Sequence, residues 1–332
     1  MKAIEVTRFG GPEVLEPRAV PDPVPGEGEV LVDVEAADTL WLETLVRSGG
    51  GGAYFPVTLP YRPGVGIAGT VPAGTKSRRR VVARLGHAGG GYATRVAVPE
   101  AALVDVPDGV DARTAVAVLH DGVTALALMD VVKVVAGDRV LVTAAAGGMG
   151  ALLVQAAKAA GATVVAAARG AAKLDALRGL GAPGPLGSLG SLGSLGPDVV
   201  VDYGVADWTD TVWEAVGGVD VVLDGAGGDY GRAAFDLVVE GGRFSAHGTP
   251  AGGFATVDPE VARSRGITAT GIGSVQLDPD RFRAYLVRAL RDVAEGRFTP
   301  LIGQTFPLER AADAHAAIES RTAIGKTVLT VA

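Results

Sequence analysis

The residues best suited to chemistry lie in VLVTAAAGGMGALLVQAAKAAGATVVAAARG, positions 140–170. The centre, Ala145-Ala146-Gly147-Gly148-Met149-Gly150, has the spacing of a dinucleotide-binding turn, with alanine in the first glycine slot. A bound diphosphate needs a helix N-terminus, where free N–H groups and the helix dipole offset its charge. It also needs a tight turn with no bulky side chain facing the phosphates. Gly147 would give the close backbone approach, and Gly150 the close packing of helix on strand. The first slot only turns the chain, which alanine can do at negative φ. A glycine pattern alone is weak, and a purely structural turn is the competing reading. This one follows an apolar β run and opens a helix, the context a nucleotide site requires.

The far end of the same run bears on which nucleotide. An NAD site places Asp or Glu at the end of the second strand, on the ribose 2′-OH. Here TVVAAA ends in Arg169, with Lys173 a turn later, and the next acid, Asp175, is already inside a helix. Two cations suit a 2′-phosphate. Singly, Arg169 reads as an exposed strand end and Lys173 as a solvated helix face; together they predict NADPH.

Other chemistries find less support. The chain has no cysteine, which excludes disulfides, thiolate catalysis and Cys-ligated zinc. His87, His120, His247 and His315 show no metal-ligand spacing, and no Ser/His/Asp arrangement is visible. Net charge is −7, against general nucleic-acid binding. The basic run Lys76-Ser77-Arg78-Arg79-Arg80 reads as a solvated loop. Mean hydropathy is +0.31, largely from dispersed alanine and valine, and no uninterrupted apolar run reaches 18 residues, so no membrane span is expected. The start MKAIEVTRFGG lacks a signal-peptide pattern, and the default location is cytoplasmic.

These residues need elements to hold them. The first third reads as short strands punctuated by glycine and proline, from MKAIEVTRF and EVLVDVEA to RVVARL and YATRVAV, a small twisted antiparallel barrel. From Ala112 the texture becomes helical. Apolar β runs at 140–144, 163–168, 198–203 and 220–225 then alternate with helices, and GRFSAHG supplies a fifth strand. This alternation implies an α/β fold, a doubly wound parallel sheet covered on both faces. The repeat PGPLGSLGSLGSLGP, 183–197, reads as a tolerated loop insertion or an engineered scar. The tail returns to mixed texture and closes on GKTVLTV.

The order and spacing of MKAIEVTRFGGPEVLE, PDPVPGEGEVLVDV, LPYRPGVGIAGTV, HDGVTAL, the glycine turn, VVVDY, DVVLDGAGG, GRFSAHG and GKTVLTV carry a resemblance over nearly the whole chain. They resemble the zinc-independent quinone oxidoreductase (zeta-crystallin-like) branch of the medium-chain dehydrogenase/reductase superfamily. The resemblance implies a GroES-like β-barrel catalytic domain, 1–118 and 259–332, with an inserted doubly wound Rossmann domain, 119–258, a cofactor in the cleft, and a homodimer. It renders the turn as Ala144-x-x-Gly147-x-x-Gly150. It adds Ala146, Gly148 and Met149 to the turn, Tyr203 beside the 2′-phosphate, and Thr124 near the carboxamide. Gly225, Ala226, Gly227, His247, Gly248 and Ile272 fall at the nicotinamide end. For His247, a partly buried strand-end histidine is the competing reading. Tyr61, and more weakly Tyr54, match positions near the acceptor, with a packing aromatic as the alternative. Departures fall where the acceptor would sit: Leu40 where the family often has Asn, and Val65 where it usually has Glu.

The leading expectation is an NADPH-dependent reductase passing hydride to a quinone or an α,β-unsaturated carbonyl without metal. The partner is then a small molecule, with no nucleic acid and no membrane. A trans-acting enoyl-thioester reductase shares the chemistry, with the KSRRR run as a seat for an acidic arm. A nucleotide-binding sensor or structural protein without turnover is the alternative from a different class.

Overall fold

The computed structural model describes residues 1–52, 55–72, 79–86, 89–180 and 195–332. Tyr54 and His87 and, within the Ser-Leu-Gly repeat, residues 183–194 lie outside them. The chain divides into two compact units. One comprises Met1–His120, Leu286–Ala294 and Ile302–Ala332; the other comprises Asp121–Tyr285 and Glu295–Leu301.

In the first unit, β1 (Lys2–Glu5) and β2 (Glu16–Ala19) pair antiparallel. The Pro/Gly-rich segment then leads into β3 (Glu29–Asp38), whose alternating residues EVLVDVEA favour a strand with one buried face. α1 (Trp41–Ser48) begins after Leu40, whose N–H donates to the Glu43 carboxylate at 3.0 Å, and ends at Gly49, φ 89°. The unit continues with β4 (Gly66–Val71), β5 (Arg79–Arg84), β6 (Arg95–Pro99), β7 (Val104–Asp105) and α2 (Ala112–Leu119). The Asp111 carboxylate caps α2, accepting the Thr114 N–H at 2.7 Å. β3 organises the sheet: Glu29–Asp33 pairs with β6, and the stretch from Asp33 to Ala37 with β4. A register shift between Val34 and Ala36 interrupts the β4 ladder at Glu35.

The second unit opens with α3 (Asp121–Val132). Strands and helices then alternate: β8 (Arg139–Thr143), α4 (Gly148–Ala159), β9 (Thr163–Ala168), α5 (Ala171–Arg178), β10 (Val199–Asp202), α6 (Trp208–Val216), β11 (Val219–Asp224), α7 (Gly228–Asp236), β12 (Val238–Ala246), α8 (Pro259–Ser264) and β13 (Thr268–Gly271). All pairs are parallel and the spatial order is β10-β9-β8-β11-β12-β13. Counted from β8, this is 3-2-1-4-5-6, the dinucleotide-binding order, and the order reverses between β8 and β11. The strand interiors are near-continuous Val/Leu/Ala because both faces are covered, as VVAAA in β9 shows.

The tail comprises α9 (Pro279–Ala294), β14 (Gln304–Pro307), α10 (Ala311–Glu319) and β15 (Thr327–Thr330). β15 pairs antiparallel with β3, which returns the C-terminus to the first sheet. The seven strands of that sheet follow the path β14-β15-β3-β4-β5-β7, with β6 on β3.

One expected boundary moves. The resemblance implies a return to the first unit at 259, whereas α8 and β13 fall in the second and Leu286 is the first tail residue assigned to the first. The reason is β13: Thr268–Gly271 pairs with Arg243–Ala246 of β12 as a sixth parallel strand. The apolar stretch Ala112–Val132 has the length and composition of a bilayer span, yet 67% of its most apolar window is buried in the protein. Its apolarity is that of core helices.

Candidate active site

The nucleotide-type turn sits at the C-terminal end of β8, at the point where the strand order reverses. Gly147 is the N-cap of the 12-residue α4 and has extended backbone, φ −83° and ψ 170°. A Cβ there would meet only the Ala144 carbonyl oxygen, at 3.2 Å, so the turn's outer face is open. Gly150 differs: a Cβ would lie 2.4 Å from the Ala144 oxygen and 2.8 Å from Ala145 Cα. Only glycine lets α4 seat so closely on the turn. Ala145 and Ala146 are buried, while Gly147, Gly148 and Met149 are half-buried. As expected, Ala145, in the first slot of the quoted turn, does not take positive φ, and the strain falls one residue earlier. Ala144 takes φ 50°, the left-handed region, so alanine here carries roughly 1 kcal/mol of backbone strain at the sharp turn.

Two strand-end loops close on each other beside this turn. The carboxylate of Asp224, fully buried at the end of β11, accepts the Thr143 hydroxyl at 2.6 Å and the N–H groups of Ala226 and Gly227 at 3.1 Å. Its main-chain oxygen accepts the N–H groups of His247 and Gly248 at 3.0 Å. A Cβ on Gly248 would fall 1.9 Å from the Gly225 oxygen, so these glycines permit the loops to cross. Burial raises the Asp224 pKa. His247 is 7% exposed, and burial lowers its pKa to about 4, which makes it a neutral imidazole at pH 7. Thr124 is half-buried on the first turn of α3, and Ile272 is 36% exposed in a 3-10 turn after β13.

At the outer corner Arg169 follows β9 and is exposed; among the described residues it has no ion-pair partner. Lys173 is half-buried on α5. Tyr203 follows β10, and its ring packs on Tyr230 with centroids 4.6 Å apart. Arg169, Gly170, Asp202 and Gly204 meet here. Asp202 was no part of the sequence pattern because it belongs to the next strand in order.

The first unit holds a second feature. An open cleft with about 430 Å³ of empty space is lined by Leu42, Val46, Phe55, Val57, Pro63 and Val65, with Glu43, Tyr61 and Arg62 as its charged and hydroxyl-bearing members. Tyr61 is held by backbone bonds to Val6, 2.9 and 3.1 Å, and its hydroxyl is buried without a hydrogen-bond partner among the described residues. Burial, reinforced by the Glu43 charge, raises its pKa. Arg62 donates to the Glu5 carboxylate at 3.0 and 3.1 Å. Leu40 is the N-cap of α1, and Val65 makes the cleft wall apolar.

Behind that wall lie groups that no sequence motif marks. The Glu43 carboxylate, 5% exposed, accepts the Gly64 N–H at 2.7 Å, the Leu40 N–H at 3.0 Å and the Tyr92 hydroxyl at 3.2 Å. The Tyr92 hydroxyl also meets His315 Nε2 at 2.9 Å. Burial, then the Asp38 charge, raises the Glu43 pKa to about 7 against the pull of those donors. Burial lowers that of His315 to about 3. Asp38 sits between His120 Nδ1 at 2.6 Å and Lys326 Nζ at 2.5 Å. Burial opposes its charge, but the two bases outweigh it and hold the carboxyl below its usual range. The only sequence signals were an acid after the apolar pair Ala36-Ala37 at the end of β3, Asp38, and Glu43 three residues after a helix start.

Among the described residues no three His, Asp or Glu gather as a metal-ligand set. Of the basic run, Arg79 pairs with Asp105 and Glu100, and Arg80 with Asp108. Both lie on β5.

Comparisons with known proteins fit this geometry. Residues 195–329 match a family model described as zinc-binding dehydrogenase. A quinone oxidoreductase of Pseudomonas aeruginosa is 30% identical over 339 residues, 99% of each chain. The chain belongs to the quinone oxidoreductase branch of the medium-chain dehydrogenase/reductase superfamily. Among solved structures, the Thermus thermophilus quinone oxidoreductase, determined also in complex with NADPH, matches with TM-score 0.80 and 30% identity over 99% of this chain and 100% of that one. An NAD-dependent alcohol dehydrogenase matches with TM-score 0.84 and 30% identity over all of both chains. Both structures match the fold over essentially the whole chain, and the nucleotides named for the two differ in the 2′-phosphate.

Proposed function

We propose that this quinone oxidoreductase family member is an NADPH-dependent reductase that passes a hydride to a quinone or an α,β-unsaturated carbonyl without a metal. The observation that carries the reading is Arg169: exposed, without an acid partner among the described residues, at the strand end where an NAD site would hold an acid. The relatives support NADPH through the Thermus complex. The residues also fit the nucleotide's diphosphate, because the open face at Gly147 leaves room beside the α4 N-terminus.

In this reading the α4 N-terminus and the Gly147 backbone bind the diphosphate. Arg169 and Lys173 bind the 2′-phosphate, and Tyr203, braced by Tyr230, walls that corner. Thr124, Gly225, Ala226, Gly227, His247, Gly248 and Ile272 form the nicotinamide end. Asp224 keeps its loop in shape from beneath, and neutral His247 adds no charge. Bound NADPH supplies the hydride. Reduction of a conjugated carbonyl puts negative charge on its oxygen, which a hydrogen-bond donor must stabilise. Tyr61 offers one: a hydroxyl in a mostly apolar cleft with no competing partner among the described residues. Its high pKa keeps it protonated as a donor. The metal-free part rests on the ligand inventory: no cysteine, and no cluster of three His, Asp or Glu among the described residues. A homodimer, on the family resemblance, and a cytoplasmic location, the default for a cysteine-free chain, complete the proposal.

Tyr61→Phe tests the acceptor half. The change removes a buried unpaired hydroxyl, so the fold should keep its stability. With an enone acceptor, kcat is expected to fall about 100-fold while the Kd for NADPH is unchanged. An unaltered kcat would remove Tyr61 from the mechanism.

A further inference from the structure

We propose that Asp202 tunes nucleotide preference from the opposite side of the Arg169 corner, weakening the hold on a 2′-phosphate and favouring a free 2′-hydroxyl. The inference rests on the NADPH reading above. Asp202 ends β10 and is paired with Ala168, the residue before Arg169. Its carboxylate Oδ1 accepts the Gly204 N–H at 2.8 Å, and its two oxygens accept the Gly170 N–H at 3.3 and 3.4 Å. Gly170 is the N-cap of α5, with φ 88°, so a donor that an anion could use at this corner already faces a carboxylate.

Gly204 shows how near the two charges run. A Cβ built on it would lie 2.8 Å from Arg169 Cγ and 2.9 Å from Asp202 Oδ1. The Arg169 stem and the Asp202 carboxylate therefore flank the same point. No ion pair joins them among the described residues, so the carboxylate keeps its charge toward whatever Arg169 binds. A phosphate dianion drawn to Arg169 meets that negative charge within a few ångströms and competes with it for the Gly170 N–H. A ribose 2′-hydroxyl meets a good acceptor instead. The corner is half-exposed, so water and salt screen the repulsion to an effect on the order of tenfold in affinity.

Calorimetric titration of the full chain with NADPH and with NADH, without acceptor, tests this. Asp202→Asn removes the charge and keeps an oxygen for the Gly204 and Gly170 N–H groups. The Kd for NADPH is expected to fall about tenfold, that for NADH to rise severalfold, and the NADPH gain to shrink in high salt. Asp202→Ser, a smaller neutral acceptor, should shift the ratio the same way and serves if the Asn variant folds poorly. A ratio unmoved in both variants overturns the proposal. So does equal weakening of both nucleotides, which would make Asp202 a brace for the corner only. Wild-type protein that fails to bind NADPH would overturn the underlying reading and this one with it. NADPH binding that depends on Arg169, with a ratio unmoved by Asp202→Asn, overturns the Asp202 assignment alone.

Discussion

Arg169→Asp is expected to raise the Kd for NADPH by about two to three orders of magnitude while moving that for NADH only a few-fold. The substitution removes a charge-assisted contact to the 2′-phosphate, worth about 1.5–3 kcal/mol. It also sets a second carboxylate beside Asp202, at a corner where a dianion must sit. Together these amount to roughly 3–4 kcal/mol at low salt, at 1.4 kcal/mol per tenfold. Arg169 is exposed, and Gly204 leaves its stem uncovered, so the fold should not notice the change. Titration calorimetry with both nucleotides reads the effect. Equal weakening of the two would mean that Arg169 does not recognise the phosphate.

Gly150→Ala and Gly147→Ala, three residues apart, are expected to fail in opposite ways. At Gly150 the new methyl carbon would stand 2.4 Å from a backbone oxygen and 2.8 Å from a backbone carbon, neither of which can step aside without moving β8 or α4. Overpacking of that kind costs about 3 kcal/mol and lowers the melting temperature by several degrees or more. At Gly147 the backbone is already extended and the nearest atom is 3.2 Å away, so alanine there costs less than about 1 kcal/mol. Its methyl group instead occupies the open face where the diphosphate must approach, and the Kd for NADPH should rise at least about 30-fold. A thermal scan and a titration on each variant separate the effects. A Gly147→Ala protein that binds NADPH normally would move the diphosphate away from this turn.

The parallel sheet was legible because its physics is local. Strands buried on both faces must be apolar throughout, so TVVAAA at 163–168 announces β9 to the residue. β13 was not legible: TATG is short, polar, and exposed or half-exposed along its length. It becomes a strand only because the edge of β12 is there to pair with. The strain at Ala144 was hidden for a similar reason, since alanine has no intrinsic preference for positive φ and the surrounding turn imposes it. At the candidate site, the glycines and Arg169 carried a sequence signal because they share one βαβ segment. The groups behind the cleft did not. Tyr92 and His315 touch across 223 positions, and Asp38 and His120 across 82. The first pair exists only after the tail has folded back onto β3, the second only after the end of α2 has met the end of β3. The departures at Leu40 and Val65 now have a place, at the start of α1 and on the wall of a mostly apolar cleft.

The measurement that bears most directly on the central claim is NADPH consumption by chelator-treated, metal-free protein, followed at 340 nm against quinones, enones and enoyl thioesters, with NADH in parallel. The account predicts turnover with NADPH on quinones or enones, undiminished by chelation. Tight NADPH binding with no turnover on any acceptor, or activity that returns only when zinc is added, would contradict it.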